Sequence, residues 1–418
     1  VLATARTTGL AGAYAALAEG VDGNRTNAAA PAVRRPWSRR WFHPAFALGL
    51  TFPGMLARTD FDNDGQVGFA YEDFYFLTAG VNLTFGTWGV GLLIDAQHYA
   101  LQGDPEPGES SRSLDVTLQR GHFLGAHSMF GGQLVFGFGV QVASLDFSAL
   151  APADDTREGV FAMASTRPEA GLLWAPSALP LRLALSGRAP GESEADPQNL
   201  AVPDAAGDTR VGPFYAPNRL EFPWEVELGW AVQLGQRRLN TTWQNPRRAL
   251  EPLRRQVDER RAALADAADD SAGAARLRAA RRAFRAERRA AYAALPRQKL
   301  LVSASWLLSG PVRDGVGFES FLRQTVQRSG QQASLTPRLG LEFEPIVDFL
   351  QARCGWYLEP SRLEQGSSRL HGTAGVDAGL LTFDAFGLLE PGTRWRIGAY
   401  LDGARQYLAW GGSIGIWR

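Results

Sequence analysis

Apolar residues alternate with polar or small ones along most of this chain. Leu408, Trp410, Ile414 and Ile416 share one parity, and Ala409, Gly411, Ser413 and Gly415 hold the other. Leu350, Ala352, Cys354, Trp356 and Leu358 alternate with Gln351, Arg353, Gly355 and Tyr357. The same rhythm runs through 88–97, 134–142, 224–234 and 338–343. Successive side chains of a β-strand point to opposite faces, so each segment has one apolar face and one polar or small face. Sixteen candidate strands follow, centred near residues 49, 79, 92, 117, 138, 170, 185, 229, 241, 304, 320, 341, 354, 375, 397 and 412. Fourteen is the alternative if the segments near 170 and 241 are not strands.

The two faces differ sharply in charge. The apolar parity carries almost none. The other carries Asp95, Asp115, Arg182, Arg188, Glu225, Glu227, Glu319, Arg323, Arg338, Glu342, Arg353, Asp377, Arg394 and Arg396. A soluble sandwich would bury the apolar face, whereas a membrane barrel turns it to lipid and the charged face to the lumen. Segment length favours the barrel, because runs of about ten residues cross a membrane when tilted. Aromatic residues near segment ends also favour it, as an interfacial girdle: Tyr71, Phe74, Tyr75, Phe76, Phe85, Trp88, Trp174, Trp224, Trp243, Trp356, Tyr357, Trp395, Tyr400, Tyr407 and Trp417. The chain reads as all-β: a transmembrane antiparallel β-barrel of 14–16 strands over residues 43–418. Its place is the bacterial outer membrane, among lipid and lipopolysaccharide. Opening at Val1 without a Met fits removal of a leader.

An even strand count puts both termini on the periplasmic side, with short turns there and long loops outside. One segment breaks the rhythm. Residues 246–298 are rich in Ala and Arg and predict a helical hairpin. Leu250, Leu253, Val257 and Leu264 form one apolar stripe and Leu277, Phe284, Tyr292 and Leu295 another, with a turn at 269–273. Between Pro246 and Pro296 stand 13 Arg against 7 acidic residues, a basic surface suited to a protein partner or to anionic lipid head groups. Sixteen strands place this insertion outside the cell. Without the strand near 241 it moves to the periplasm.

Composition narrows the chemistry. There are 43 basic and 43 acidic residues, so the chain is no whole-chain nucleic-acid binder. The single cysteine, Cys354, rules out an intramolecular disulfide framework. No run of 18 apolar residues predicts a membrane-spanning helix. The nucleophile, phosphate-loop and metalloprotease signatures are missing, so no enzymatic activity is expected. The five histidines, His43, His98, His122, His127 and His371, lack metal-ligand spacing and read as isolated surface or turn residues. Asp60, Asp62 and Asp64 followed by Gly65 match the core of a calcium loop. Three alternate carboxylates can converge on a hard cation while Gly65 makes the sharp turn. Glu72 is the candidate closing ligand, one residue late. The competing reading is a metal-free Asp/Asn/Gly turn.

Both ends of the chain resemble a known family. Arg6-Thr7-Thr8-Gly9-Leu10-Ala11-Gly12-Ala13, then Ala16-Leu17-Ala18, an acidic turn and Asn27-Ala28-Ala29, is similar to the start of mature outer-membrane proteins of the long-chain fatty-acid transporter (FadL-like) family. That family opens with Arg-x-x-Gly-x-Gly-Gly-Ala and carries Asn-Pro-Ala. Here Ala11 replaces the first Gly of the pair, and Ala28 replaces the Pro. The stretches Pro337–Pro345 and Arg353–Ser361 also look similar. The resemblance implies that residues 1–42 fold into the lumen as a hatch, and that hydrophobic compounds pass through passively to a lateral opening. It transfers no ligand-contact residue. The alternative is a non-transporting barrel, an anchor or scaffold of a larger envelope complex, with a protein partner at 246–298.

Overall fold

A computed structural model of the chain describes residues 3–34, 40–53, 59–60, 63, 65, 75–102, 113–150, 157–194, 202–203, 209–211, 214–216, 219–235, 238–263, 271–294, 300–313, 315–317, 321–322, 327–347, 349–363, 366–383, 389 and 393–416. The alternating segments become strands. The first seven are β1 Phe42–Pro53, β2 Tyr75–Phe85, β3 Trp88–Gln102, β4 Ser113–Met129, β5 Leu134–Leu150, β6 Arg157–Trp174 and β7 Leu181–Arg188. Five short strands follow: β8 Gly191–Glu194, β9 Val202–Pro203, β10 Thr209–Val211, β11 Phe214–Ala216 and β12 Arg219–Phe222. The rest are β13 Glu225–Leu234, β14 Leu300–Ser309, β15 Ser334–Ile346, β16 Leu350–Glu359, β17 Arg369–Thr382, β18 Arg394–Ala404 and β19 Tyr407–Ile416.

Fourteen of these close into one antiparallel barrel, β1 to β7 and β13 to β19, with β1 pairing β19. Closure leaves no unpaired sheet edge, which is what a strand needs in hydrocarbon. The predicted parity holds. Leu50, Ile94, Phe123, Phe138, Leu172, Leu185, Leu228, Trp306, Phe343, Val376, Ile397 and Leu401 are large, apolar and exposed on the outside. Asp95, Asp115, Arg182, Glu227, Glu342, Arg353, Asp377 and Arg396 are buried inside. Glu319 and Arg323 lie outside the described residues.

Among the described residues, two of the sixteen expected strands are not found. Residues 238–245 are not strand, and Phe321 and Leu322 are helical. The missing strand near 241 reverses the side of the insertion. It connects β13 to β14 at the end of the barrel that carries the short turns 86–87, 130–133, 175–180 and 347–349. The longer connections 54–74, 189–224 and 310–333 are at the other end. The insertion contains α2 Pro246–Ala249, α3 Glu251–Ala263 and α4 Ser271–Ala293. Ser271, Ala272 and Gly273, expected in the turn, begin α4 instead. Leu264 and Leu295 of the predicted stripes lie outside the described residues, as does the Tyr292 side chain.

The girdle also needs correction. Phe76, Tyr357, Tyr400 and Tyr407 are buried, because they share the parity of the lumen. Trp88, Trp174 and Trp356 face outward and are exposed. Tyr71, Phe74 and Trp417 lie outside the described residues. Wall height varies strongly: β4, β5 and β6 run 17, 17 and 18 residues, β7 only 8.

Candidate functional site

The lumen is filled by the chain's own start. Residues 3–24 and 26–33 are all buried, and they touch the wall nearly all the way round. The Ala5 amide donates to Ser413 Oγ on β19 (3.1 Å), and Thr373 Oγ1 on β17 donates to the Gly9 carbonyl (3.1 Å). Arg182 on β7 donates to the Leu17 carbonyl (3.0 Å), and Thr84 Oγ1 on β2 to that of Pro31 (2.8 Å). Glycines make room where the segment presses on the wall. A Cβ on Gly137 would run into the Ala28 carbonyl, and one on Gly89 into that of Pro31. Asn27 ties the segment to itself and to β6. Its Nδ2 donates to the carbonyls of Ala15 (3.1 Å) and Leu172 (3.3 Å), while its Oδ1 accepts from the Ala29 amide (2.9 Å).

Eight buried charges alternate in sign through this contact zone. Arg182 meets Glu19 (3.0 Å), Glu19 meets Arg6 (2.9 Å) and Arg6 meets Glu342 (2.8 Å). Glu342 meets Arg353 (2.7 Å), Arg353 meets Asp377 (2.7 Å), Asp377 meets Arg396 (3.1 Å), and Arg396 pairs with Asp22. Three members belong to the N-terminal segment and five to the wall. Four positive and four negative groups cancel, so every ion in the chain has an opposite neighbour, the condition under which buried charge is tolerated. Burial opposes the charge of Arg6, yet Glu342, Tyr14 and Glu19 outweigh it and raise its pKa.

A second polar layer lies toward the long-loop end. Arg25 pairs with Asp95, which also accepts from Thr78 Oγ1 (2.7 Å). His122 Nδ1 meets Glu169 (2.9 Å), and Arg188 bridges Glu169 (3.3 Å) and Glu225 (2.9 Å). Arg167 reaches Glu225 (3.3 Å) and donates to Gln141.

Above this layer the lumen wall turns apolar. Phe76, Tyr99, Val116, Leu145, Phe147 and Met163 are buried on the inward parity of β2 to β6. They are neighbours in register: Tyr99 pairs Val116, Val116 pairs Phe147, and Leu145 pairs Met163. Two connections fold inward over them. Phe321 of the β14–β15 connection stands edge-on to Phe147, with centroids 5.4 Å apart. The β8–β12 ribbon lies against the lumen face of β6, where the Arg167 guanidinium sits 5.1 Å from the centre of the Phe222 ring. These buried side chains make the inner wall at this level largely apolar, with the Tyr99 hydroxyl donating to Gln97 Oε1 (2.8 Å) among them.

The stem of the insertion crosses the short-turn mouth as a strap. Arg182 Nε donates to Asn240 Oδ1 (2.8 Å), and Nη2 to the Leu239 carbonyl (3.2 Å). Asn240 Nδ2 donates to the carbonyls of Pro176 (2.9 Å) and Leu181 (2.8 Å), and the Trp243 amide to that of Gly131 (2.8 Å). The Arg34 guanidinium stacks 4.0 Å from the Trp243 ring centre. Trp243 is therefore a buried clamp and not a girdle residue.

Of the predicted calcium ligands, Asp60 alone falls among the described residues; Asp62, Asp64 and Glu72 lie outside them. Asp60 is buried. Its Oδ2 accepts from the Gly65 amide (3.0 Å) and lies 3.7 Å from Arg369. Gly65 has φ +87°, the left-handed turn expected of it. The histidine reading fails at two positions. His122 and His371 are buried in the lumen, and His371 sits between Asp402 (2.9 Å) and Glu359 (3.0 Å). Their parity with Arg120 and Arg369 was the available signal. The ionic chain had no such signal beyond inward parity, because its partners are far apart in sequence.

A closed fourteen-strand barrel with an apolar exterior, its lumen filled by the N-terminal segment, is a membrane protein of the plugged-barrel class. No family model and no curated protein matches the sequence. Solved structures do match in shape. The CymD monoaromatic hydrocarbon channel superposes over 99% of this chain and 96% of its own, at 9% identity and TM-score 0.51. The toluene transporter TodX of P. putida superposes over 99% and 97%, at 9% identity and TM-score 0.50. A FadL homologue of Pseudomonas aeruginosa covers 100% and 98%, at 11% identity and TM-score 0.47. The chain shares the fold of CymD and TodX.

Proposed function

We propose that this protein is a passive outer-membrane channel for small hydrophobic compounds, entered from the long-loop end and stoppered by its N-terminal segment. The observation that carries this reading is the apolar inward face formed by Tyr99, Val116, Leu145, Phe147 and Met163, against which Phe321 packs at Phe147. A water-filled pore would line that stretch with polar groups. Two solved structures that share the fold are a monoaromatic hydrocarbon channel and a toluene transporter, which supports the same class of cargo. Burying an apolar ring against such a lining is favourable by roughly 1.5–3 kcal/mol per large side-chain equivalent. That is enough to draw a sparingly soluble molecule out of water. The polar layer beneath then blocks the axial route, so the compound waits on movement of the plug or wall.

The test is uptake of toluene and of a long-chain fatty acid by cells with and without the gene, and with Phe147→Asp. Deletion is expected to slow uptake of at least one compound. Phe147→Asp is expected to reproduce that loss at normal barrel abundance. Equal uptake in all three strains overturns the reading.

A further inference from the structure

We propose that the arginine face of α4 binds the phosphate groups of anionic phospholipids in the leaflet at the short-turn end of the barrel. The proposal rests on the membrane placement above, but not on the identity of any transported compound.

In its 23 residues α4 holds seven arginines, Arg276, Arg278, Arg281, Arg282, Arg285, Arg288 and Arg289, against one acid, Glu287. At 3.6 residues per turn, all but Arg276 fall within about a third of the helix circumference. The apolar residues fall beside that arc. Leu277, Ala280, Phe284 and Ala291 are half-buried, as are Leu250, Leu253 and Val257, the last two on α3, and α3 and α4 are in contact. The apolar side is thus consumed within the hairpin, and Arg278, Arg281, Arg282 and Arg285 are left exposed.

The two helices treat their cations differently. On α3, Arg255 pairs with Glu251 (2.6 Å) and Arg254 with Asp258 (3.8 Å), one turn apart. Among the described residues no acid pairs with Arg276, Arg278, Arg281, Arg282 or Arg285. Like charges one turn apart repel, so the stripe is relieved by an external anion. Guanidinium forks match phosphate oxygens two at a time, which makes arginine suited to this surface.

The root of the hairpin supplies the location. The Arg247 guanidinium, in α2, lies 3.4 Å from the centre of the Trp41 ring, directly before β1. Trp41 also packs near Phe85 at the end of β2 (6.3 Å). Aromatic residues at a barrel rim mark the head-group level. A 13-residue α3 reaches about 20 Å, and α4 ends at Ala293, seven positions before β14 begins at Leu300, so the arginines toward its C-terminal end lie within reach of that leaflet.

The full-length protein is placed in nanodiscs of phosphatidylcholine alone or with phosphatidylglycerol, and amide exchange of 271–293 is followed in each. In the anionic discs exchange is expected to slow about tenfold or more. The slowing should vanish in about 0.5 M salt and in a variant combining Arg278→Gln, Arg281→Gln, Arg282→Gln and Arg285→Gln. Exchange of the barrel strands in the same samples reports insertion, so a failure of membrane placement is seen separately. Equal α4 exchange in both lipids overturns the proposal, as does a slowing that survives in the variant. A stoichiometric acidic protein that co-purifies with the wild type and not the variant, without any lipid response, also overturns it and assigns the face to that protein.

Discussion

Arg6 and Glu342, 336 positions apart, are joined by two hydrogen bonds, Nε to Oε2 at 2.8 Å and Nη2 to Oε1 at 3.1 Å. This fork fixes the first turn of the N-terminal segment to β15 inside the barrel. Removing one partner of a buried, hydrogen-bonded pair costs about 3–5 kcal/mol, because the other is left charged and unpaired. Arg6→Ala should therefore loosen the plug while the barrel stays closed. Faster amide exchange over residues 5–19, with strand exchange unchanged, is the expected result, along with a rise in ion conductance across a planar bilayer.

Arg182 holds two things at once. It reaches Leu17 and Glu19 of the plug and Leu239 and Asn240 of the strap. Arg182→Ala should free both, and exchange should rise in 13–20 and in 238–245 together. Asn240→Ala removes strap bonds only. It should loosen 238–245 and leave 13–20 near wild type, which separates the shared node from a general loss of stability.

Ala11 has φ +55° and Gly12 φ +74°. A left-handed alanine is strained by roughly 1–2 kcal/mol, and glycine relieves that while adding about 0.5–1 kcal/mol of chain entropy to lose. Ala11→Gly should then be neutral to mildly stabilising in urea titration. Ala11→Val should destabilise by clearly more, since a branched side chain suits that conformation worse. This is the position at which Ala11 stands where the resembled family carries Gly.

A calcium ion in the Asp60–Gly65 loop would draw on the carboxylate that now faces Arg369. Millimolar calcium should raise the unfolding temperature of the wild type, and Asp62→Asn should abolish the rise. A temperature that ignores calcium in both proteins assigns the run to a metal-free turn held by Arg369.

Sequence made the wall legible because a strand writes its two faces at period two. Val226, Leu228 and Trp230 against Glu225, Glu227 and Gly229 is enough to orient β13. It misjudged 238–245 because Leu239, Thr241 and Trp243 also alternate with Asn240 and Thr242. There the extended backbone is fixed by bonds to Pro176, Leu181 and Gly131, and no local rhythm encodes those. The plug was legible as small residues and a family-like opening. Its ionic chain was not, since Arg6, Glu342 and Arg396 meet only after the barrel has closed.

The uneven wall gives the molecule a front and a back. At about 3.3 Å per residue and a tilt near 40°, an 18-residue β6 climbs roughly 45 Å and an 8-residue β7 about 20 Å. At the long-loop end one flank of the barrel therefore rises well past the other, and the connections 189–224 and 310–333 spring from the lower rim. A solute using the proposed channel would meet a rim of unequal height, high on the side of β4 to β6 and crossed on the low side by those two connections.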